Sequence, residues 1–317
     1  MIRTELDAAG IEDPALRAAY RRCRKIAADN GRTYFLATRL LAPDQRPAVH
    51  ALYAFARHAD DILDEFNPDL DTATRAERLQ RLSDRFFAGG EHFDEPVLAA
   101  VAHTISRYGI AGDLFEDFLT SMRMDLSITD YPDRAALELY MRGSAEVIGL
   151  QMLPVLGTVS DAQEAAPYAA ALGRAFQLTN FLRDVDEDLV RNRVYLPADE
   201  LAAHGVDRDL LTWCHEHRYT DARVRNALAA QHQITREIYR FAADGVQTLA
   251  PRSRPCVATA LTLYSEILDC IEDSDFSVFS QRATVGTTRR LQVAGSALFQ
   301  SWRARRGQPD DRRRGAA

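Results

Sequence analysis

Apolar residues recur at three- and four-residue steps along nearly all of the 317-residue chain, and this periodicity most limits the folds open to it. Leu16, Ala19, Tyr20, Cys23, Ile26 and Ala27 form one such series, and Leu52, Phe55, Ala56, Ala59, Ile62, Leu63 and Phe66 another. The spacing returns over about 75–88, 95–108, 111–127, 135–156, 162–190, 220–248 and 253–275. No stretch alternates with period two over a useful length, and no pair of such runs flanks a short turn. The pattern predicts an all-α protein of roughly ten helices. Breaks are expected at Ala42-Pro43-Asp44, Asn67-Pro68-Asp69, Ala88-Gly89-Gly90, Asp130-Tyr131-Pro132, Val159-Ser160-Asp161 and Pro251-Arg252-Ser253. None is long enough for an interdomain linker, so residues 1–300 are expected to form one helical domain. Apolar residues thin out from about 301, and the arginine-rich segment 301–317 is expected to be a disordered tail.

Composition narrows the class further. The longest apolar stretch, Val147 to Val159, is interrupted by Gln151 and Pro154 and is too short to span a bilayer. Cys23, Cys214, Cys256 and Cys270 lie far apart with no CxxC pair, which argues against a metal cage or disulfide framework and for reduced thiols in a cytoplasmic protein. The N-terminus has no basic-then-apolar leader pattern. Net charge is −7, and the tail from Arg303 carries +4, leaving −11 on the rest. An acidic body excludes nucleic acid as an expected partner.

Two acidic stripes carry the chemical signal. In a helix, Tyr53, Arg57, Asp60 and Asp64 stack along one narrow stripe bordering the apolar arc of Leu52, Ala56, Ala59 and Leu63. Carboxylates at four-residue spacing repel by roughly 0.2–0.5 kcal/mol, and a divalent cation reverses the sign. A solvated acidic face accounts for this stripe alone equally well. The second stripe, Gln177, Asn180, Asp184 and Asp188, has Leu172 and Phe176 on one side and Leu178, Phe181 and Val185 on the other. A polar stripe between apolar flanks points to a cavity wall, with a satisfied core network as the alternative. Together the stripes suggest two helices facing each other across a cavity. Hard cations such as Mg²⁺ take one or two carboxylates plus phosphate oxygens. Arg57, Arg183, Arg193 and Tyr195 sit near enough to serve a diphosphate, although each arginine could equally form a plain ion pair.

The motifs resemble a known family. Asp60-Asp-Ile-Leu-Asp64 and Asp184-Val-Asp-Glu-Asp188 are similar to the two Asp-rich motifs of the squalene/phytoene synthase family. Arg32-Thr-Tyr-Phe-Leu-Ala-Thr-Arg-Leu-Leu resembles its N-terminal signature, with Arg32 and Thr33 where serines are frequent. Ala51-Leu-Tyr-Ala-Phe-Ala-Arg leads into the first motif, and Asn180-Phe-Leu-Arg followed by Arg193-Val-Tyr-Leu-Pro frames the second. Ser121-Met-Arg-Met-Asp-Leu and Gly143-Ser-Ala-Glu-Val-Ile-Gly resemble central helices of the bacterial phytoene synthases. The resemblance extends from about 20 to 290 and implies the all-α class I prenyltransferase fold with one central cavity.

It also implies residue roles. Asp60, Asp64, Asn180, Asp184 and Asp188 would hold Mg²⁺, with Mn²⁺ as an alternative ion. Tyr53 and Arg183 would join the aspartates in catalysis. Arg57, Gln177, Asn180, Arg193, Tyr195 and Arg282 would contact diphosphate or hold metal ligands, and Tyr140, Tyr264 and Gly149 would line the cavity. Asp61 points off the stripe. The implied reaction joins two geranylgeranyl diphosphates into phytoene through prephytoene diphosphate, without NADPH. A squalene-, dehydrosqualene- or hydroxysqualene-forming enzyme acting on farnesyl diphosphate is the alternative, and a non-catalytic helical scaffold a more distant one. A water-insoluble product implies peripheral contact with the inner face of a membrane and with downstream carotenoid enzymes as expected partners.

Overall fold

The computed structural model describes residues 2–64, 71–89, 95–290, 292, 293 and 295, without the side chains of Arg32, Thr33 and Asp64. The Asp64 carboxylate, the break at Asn67-Pro68-Asp69, Gly90 and the segment 301–317 therefore lie outside the described residues.

Fifteen α-helices occur among those residues, with no strand and only two isolated β-bridges. The first seven are α1 (Ile2–Ala8), α2 (Pro14–Asn30), α3 (Arg32–Thr38), α4 (Arg46–Asp64), α5 (Thr72–Phe87), α6 (Pro96–Tyr108) and α7 (Asp113–Met124). Then follow α8 (Arg134–Met141), α9 (Val147–Leu156), α10 (Ala162–Arg183), α11 (Val185–Val190) and α12 (Ala198–Ala202). The last three are α13 (Arg208–His217), α14 (Ala222–Asp244) and α15 (Arg254–Asp273). Aspartate punctuates the chain. Asp13, Asp71, Asp133, Asp161, Asp207 and Asp221 each accept a hydrogen bond from a backbone N–H of the first turn of α2, α5, α8, α10, α13 and α14. Each such cap stabilises its helix by about 1 kcal/mol.

Two long runs are divided where periodicity reads them as continuous. The stretch 135–156 contains a π turn at Arg142–Glu146. The stretch 162–190 turns at Asp184, whose φ of −105° and ψ of 15° are not helical. The Asp184 N–H still donates to the Asn180 carbonyl at 2.8 Å, and its carbonyl accepts from the Asp188 N–H at 2.8 Å. Only the helix direction changes, so the apolar spacing carries no trace of it. The short helices α1, α3, α12 and α13 also raise the total above the ten expected.

The apolar residues collect in two main clusters. One joins α1, α2, α4, α6 and α7 around Leu52, Phe55, Leu98 and Phe115. The other joins α8, α10, α13, α14 and α15 around Leu137, Leu178, Leu228 and Leu268. Phe176 packs against both. A cavity of about 470 Å³ has walls from α2, α3, α4, α9, α10 and α15. All four cysteines are free, three of them buried.

Gly149 fixes how closely α9 and α10 approach. A Cβ added there would lie 2.1 Å from the Ala169 carbonyl oxygen, a backbone atom that cannot turn aside. Gly149 lines the cavity. Its bare side, however, faces a neighbouring helix backbone, so the crossing rather than the substrate requires glycine. Replacing Gly149 with Ala should lower stability by at least about 1–3 kcal/mol in urea unfolding, with little change in the denaturant slope.

Candidate active site

The polar wall of the cavity comes from the C-terminal ends of helices. On α4, Tyr53 and Asp60 face the cavity beside Leu52, Ala56 and Leu63. Arg57 forms an ion pair with Asp61 at 2.5 Å, and its buried Nε has no hydrogen-bond partner among the described residues. Burial disfavours its charge, but Asp61 and Asp60 outweigh that and hold the guanidinium firmly protonated. Asp61, though off the stripe, thus anchors Arg57.

The second acidic segment straddles the turn at Asp184. Arg183 clasps the Asp184 carboxylate in a two-pronged contact, Nε to Oδ1 at 2.7 Å and Nη2 to Oδ2 at 2.5 Å. Arg282 reaches the same carboxylate from a distant loop, Nε to Oδ1 at 2.9 Å, and lies 3.4 Å from Glu187. Here the ion-pair reading of the arginines holds: both stand on a carboxylate. Arg183 also adjoins the Tyr264 hydroxyl. Tyr264 stacks on Tyr34 at 4.9 Å and packs on Phe176 at 4.4 Å. Asp188 is pushed up to about 7, first by burial and then by the charge of Asp184, with Arg191 and Arg193 opposing. Gln177 faces the cavity, and Asn180 lies one turn before Asp184 on the same helix.

Arg193 and Tyr195 turn to a partner that the motif reading did not assign. Arg193 donates to the Asp125 carboxylate at 3.2 Å, the Asp125 carbonyl at 2.8 Å and the Tyr195 hydroxyl at 2.9 Å. Tyr140 donates to the other Asp125 oxygen at 2.9 Å. The local chain explains the meeting. Asn192, at φ 58°, ends α11 in the left-handed conformation that asparagine tolerates. The Val194 N–H then bonds the Thr129 carbonyl at 2.8 Å, which lays the Arg193 segment beside the Asp125 segment. Phe181 stacks flat on Tyr195 at 4.1 Å, closing the aromatic side. The available signal was a lone acid ending the apolar series Phe118, Leu119 and Met122. Tyr34 and His50 were also missed. His50 lines the cavity stacked on Phe35, and burial, helped by Arg24 and Arg46, lowers it to about 3, so that wall stays neutral.

Among the described residues, no three His, Cys, Asp or Glu side chains converge to hold a metal by themselves. The donor set nevertheless suits a hard cation. It offers oxygen donors, the carboxylates and the Asn180 amide, and burial and the charge of Asp184 disfavour the charge of Asp188. An ion needing phosphate oxygens to complete its shell fits such a partial set. The unpartnered Arg57 Nε leaves a buried donor for an anion in the same region.

Comparison with known proteins gives the arrangement a lineage. Residues 27–289 match the family model described as squalene/phytoene synthase. The chain belongs to the squalene/phytoene synthase family. It is 36% identical over 295 residues to phytoene synthase 3 of Zea mays, covering 91% of this chain and 67% of that protein. It is 36% identical over 292 residues to the phytoene synthase of Arthrospira platensis, covering 88% of this chain and 92% of that one. Among solved structures, a dehydrosqualene synthase superposes with a TM-score of 0.79 at 26% identity, over 89% of this chain and 96% of its own. A squalene synthase from Alicyclobacillus acidocaldarius superposes with a TM-score of 0.74 at 24% identity, over 85% and 98%. The all-α isoprenoid synthase fold expected from the motifs is thereby established.

Two outcomes are expected. Asp188 titrates near 7 in the folded chain and near 3.8 unfolded, so the folded state binds the extra proton between those values. Its contribution to stability therefore falls as pH rises from about 4 to about 7 and stays unfavourable above. Asp188→Asn should remove that slope and raise the stability of the metal-free protein at pH 8 by about 1–3 kcal/mol in denaturant titrations. Asp125→Ala strands the largely buried Arg193 and should cost about 3 kcal/mol. Asp125→Asn, which keeps hydrogen-bonding atoms in place, should cost clearly less in the same titration.

Proposed function

We propose that this chain joins two molecules of geranylgeranyl diphosphate head to head to form phytoene, with a divalent cation, Mg²⁺ or alternatively Mn²⁺, at the acidic end of the cavity. The observation that carries this reading is the placement of Asp60, Asp125, Arg191 and Arg193 in the wall of a cavity whose remaining lining is largely apolar and aromatic. A prenyl diphosphate has that same division between a charged head and an apolar chain.

Asp60, Asp64, Asn180, Asp184 and Asp188 would hold the metal, which when bound would neutralise the diphosphate as it departs. Arg57 and Arg193, fixed by Asp61 and Asp125, would orient the phosphate oxygens through bidentate donation. Arg183 and Arg282, resting on Asp184, are placed to transfer their hydrogen bonds to the diphosphate when it arrives. Loss of diphosphate leaves an allylic cation. The double bond of the second substrate attacks it, and proton loss closes the cyclopropane of prephytoene diphosphate. A second diphosphate departure, rearrangement and proton loss give phytoene. The rings of Tyr34 and Phe176 line the cavity, with Tyr264 packed against both but outside the lining, and aromatic faces favour positive charge. Apolar walls keep water from the cations.

A C15 reading, giving squalene, dehydrosqualene or hydroxysqualene, draws support from the solved relative at 26% identity. Curated relatives at 36–39% identity carry the name phytoene synthase and favour the C20 reading. No helix among the described residues is long and apolar enough to cross a membrane. A product without polar groups supports peripheral contact with a membrane and handover to a downstream carotenoid enzyme.

Incubation with Mg²⁺ and either substrate, followed by extraction and mass spectrometry, tests the reading. The C20 substrate should yield a C40 hydrocarbon without NADPH. Asp60→Ala and Asp184→Ala should each lower that yield by about a hundredfold or more. A C30 product from farnesyl diphosphate alone would transfer the chain to the squalene-type branch.

A further inference from the structure

The helix that carries Asp188 cannot set its own direction. α11 is six residues long, and the chain leaves the helical path at Asp184, so α11 does not inherit its axis from α10. A helix of that length holds its shape only through packing. Val185 is buried beneath it, and α13 packs against it. α13 is itself rooted in the core by Leu211 and Cys214, both fully buried. No residue of α13 lines the cavity.

Asp186 joins the two helices. It stands two residues before Asp188, a little over half a turn, and so on the opposite side of α11. The His215 Nδ1–H donates to its Oδ1 at 2.6 Å, and Arg218 Nη1 donates to its Oδ2 at 2.7 Å. Both carboxylate oxygens are thus taken by α13 and its C-cap. Arg218 is that cap, in the left-handed conformation at φ 53°. A residue with a Cβ stays there only where its surroundings hold it.

The other end of α13 holds the same segment further on. Arg208 donates from Nη1 to the Asn192 side-chain oxygen at 3.0 Å and from Nη2 to the Asp130 carboxylate at 2.5 Å. Asp130 in turn is bridged to Val194. α13 therefore grips the chain at Asp186 and at Asn192, on either side of Asp188 and just before Arg193. These grips differ from those within the site. Arg183 and Arg282 rest on Asp184, where a diphosphate would compete for them. Asp186 faces the other way, so its partners keep their hold when a head group arrives.

We propose that His215 and Arg218, acting through Asp186, are positioning residues that aim Asp188 at the metal and diphosphate, with Arg208 fixing the far end of the segment. The proposal rests on the reading that Asp184 and Asp188 hold the metal–diphosphate head. The three side chains act through α11 and take no part in bond making.

The test measures binding, so that it does not depend on product formation. Inorganic pyrophosphate is titrated calorimetrically against the full chain in saturating Mg²⁺, and every variant is also unfolded in urea. His215→Ala and Arg218→Ala should each weaken pyrophosphate binding by about tenfold, the lower end of what loss of an outer partner does at a metal site. His215→Asn, whose amide N–H takes the place of Nδ1–H, should recover most of that loss. Arg223→Ala removes the same charge as Arg218→Ala, from an ion pair with Asp221, and should change binding by less than about twofold. On an Asp186→Ala background, His215→Ala should weaken binding no further, because its partner is gone. Variants that lose stability yet, when folded, bind pyrophosphate as the wild type does overturn the proposal, since a merely structural contact behaves in that way. So do a His215→Asn variant that recovers nothing, an Arg223→Ala loss equal to that of Arg218→Ala, and a full further loss on the Asp186→Ala background. Should His215→Ala not fold, the comparison of Arg218→Ala with Arg223→Ala decides. Failure of the head-group reading appears separately, as a wild type that binds no pyrophosphate in Mg²⁺.

Discussion

Gathering carboxylates at one end of an apolar cavity is the constraint on which the rest of this structure depends. Asp184 and Asp188 lie close enough that each opposes the other's charge, and burial adds to the effect. Such a cluster is tolerable only if cations stand against it. The chain supplies arginines from widely separated places. Arg183 comes from the adjacent residue and Arg282 from nearly one hundred residues downstream. Arg193 binds Asp125 instead, and Arg57 binds Asp61. The Arg282–Asp184 and Arg193–Asp125 pairs join segments far apart in the chain, so the electrostatics of the site also organises the fold around it.

Much of this was legible in the sequence because helix geometry is local. A seven-residue spacing, two helical turns, places Asp60 and Tyr53 on one side of a helix whatever surrounds them, and both line the cavity. The capping aspartates sit where the apolar periodicity restarts. What was hidden is non-local or confined to one residue. The turn at Asp184 changes the direction of the chain without changing its spacing. Asp125 acquires a role only because the Val194 N–H reaches the Thr129 carbonyl, a contact across some sixty-five residues. Gly149 lies in the wall, but no spacing rule shows that its bare side meets Ala169. His50 stood in the same periodic run as Tyr53. Its neutrality comes from burial, which a single sequence does not display.

The apolar part of the cavity follows from a different requirement. Its walls are rigid because α9 and α10 meet backbone to backbone at Gly149 against Ala169, and the bare Gly245 backbone lies against the Tyr168 side chain. Close contact of this kind leaves little room for adjustment, since a packed interior resists even one added methylene. The depth of the cavity is thus fixed by where the helices cross and not by the flexible side chains alone.

These two requirements meet along α10. Its C-terminal end holds the ion pairs, its middle presents Phe176 to both apolar clusters, and its first half carries Tyr168. A helix is stiff over this length, so Asp184 and Tyr168 stand at a constant separation of about 24 Å. The ion pairs at Asp184 are exchangeable, because a diphosphate offers an arginine the same bidentate oxygen geometry as a carboxylate. The packing at Tyr168 is not, because its neighbour is backbone. An arriving substrate can therefore rearrange the charged end while the far end stays still. That asymmetry lets one element offer exchangeable partners to a head group while its apolar wall keeps its shape.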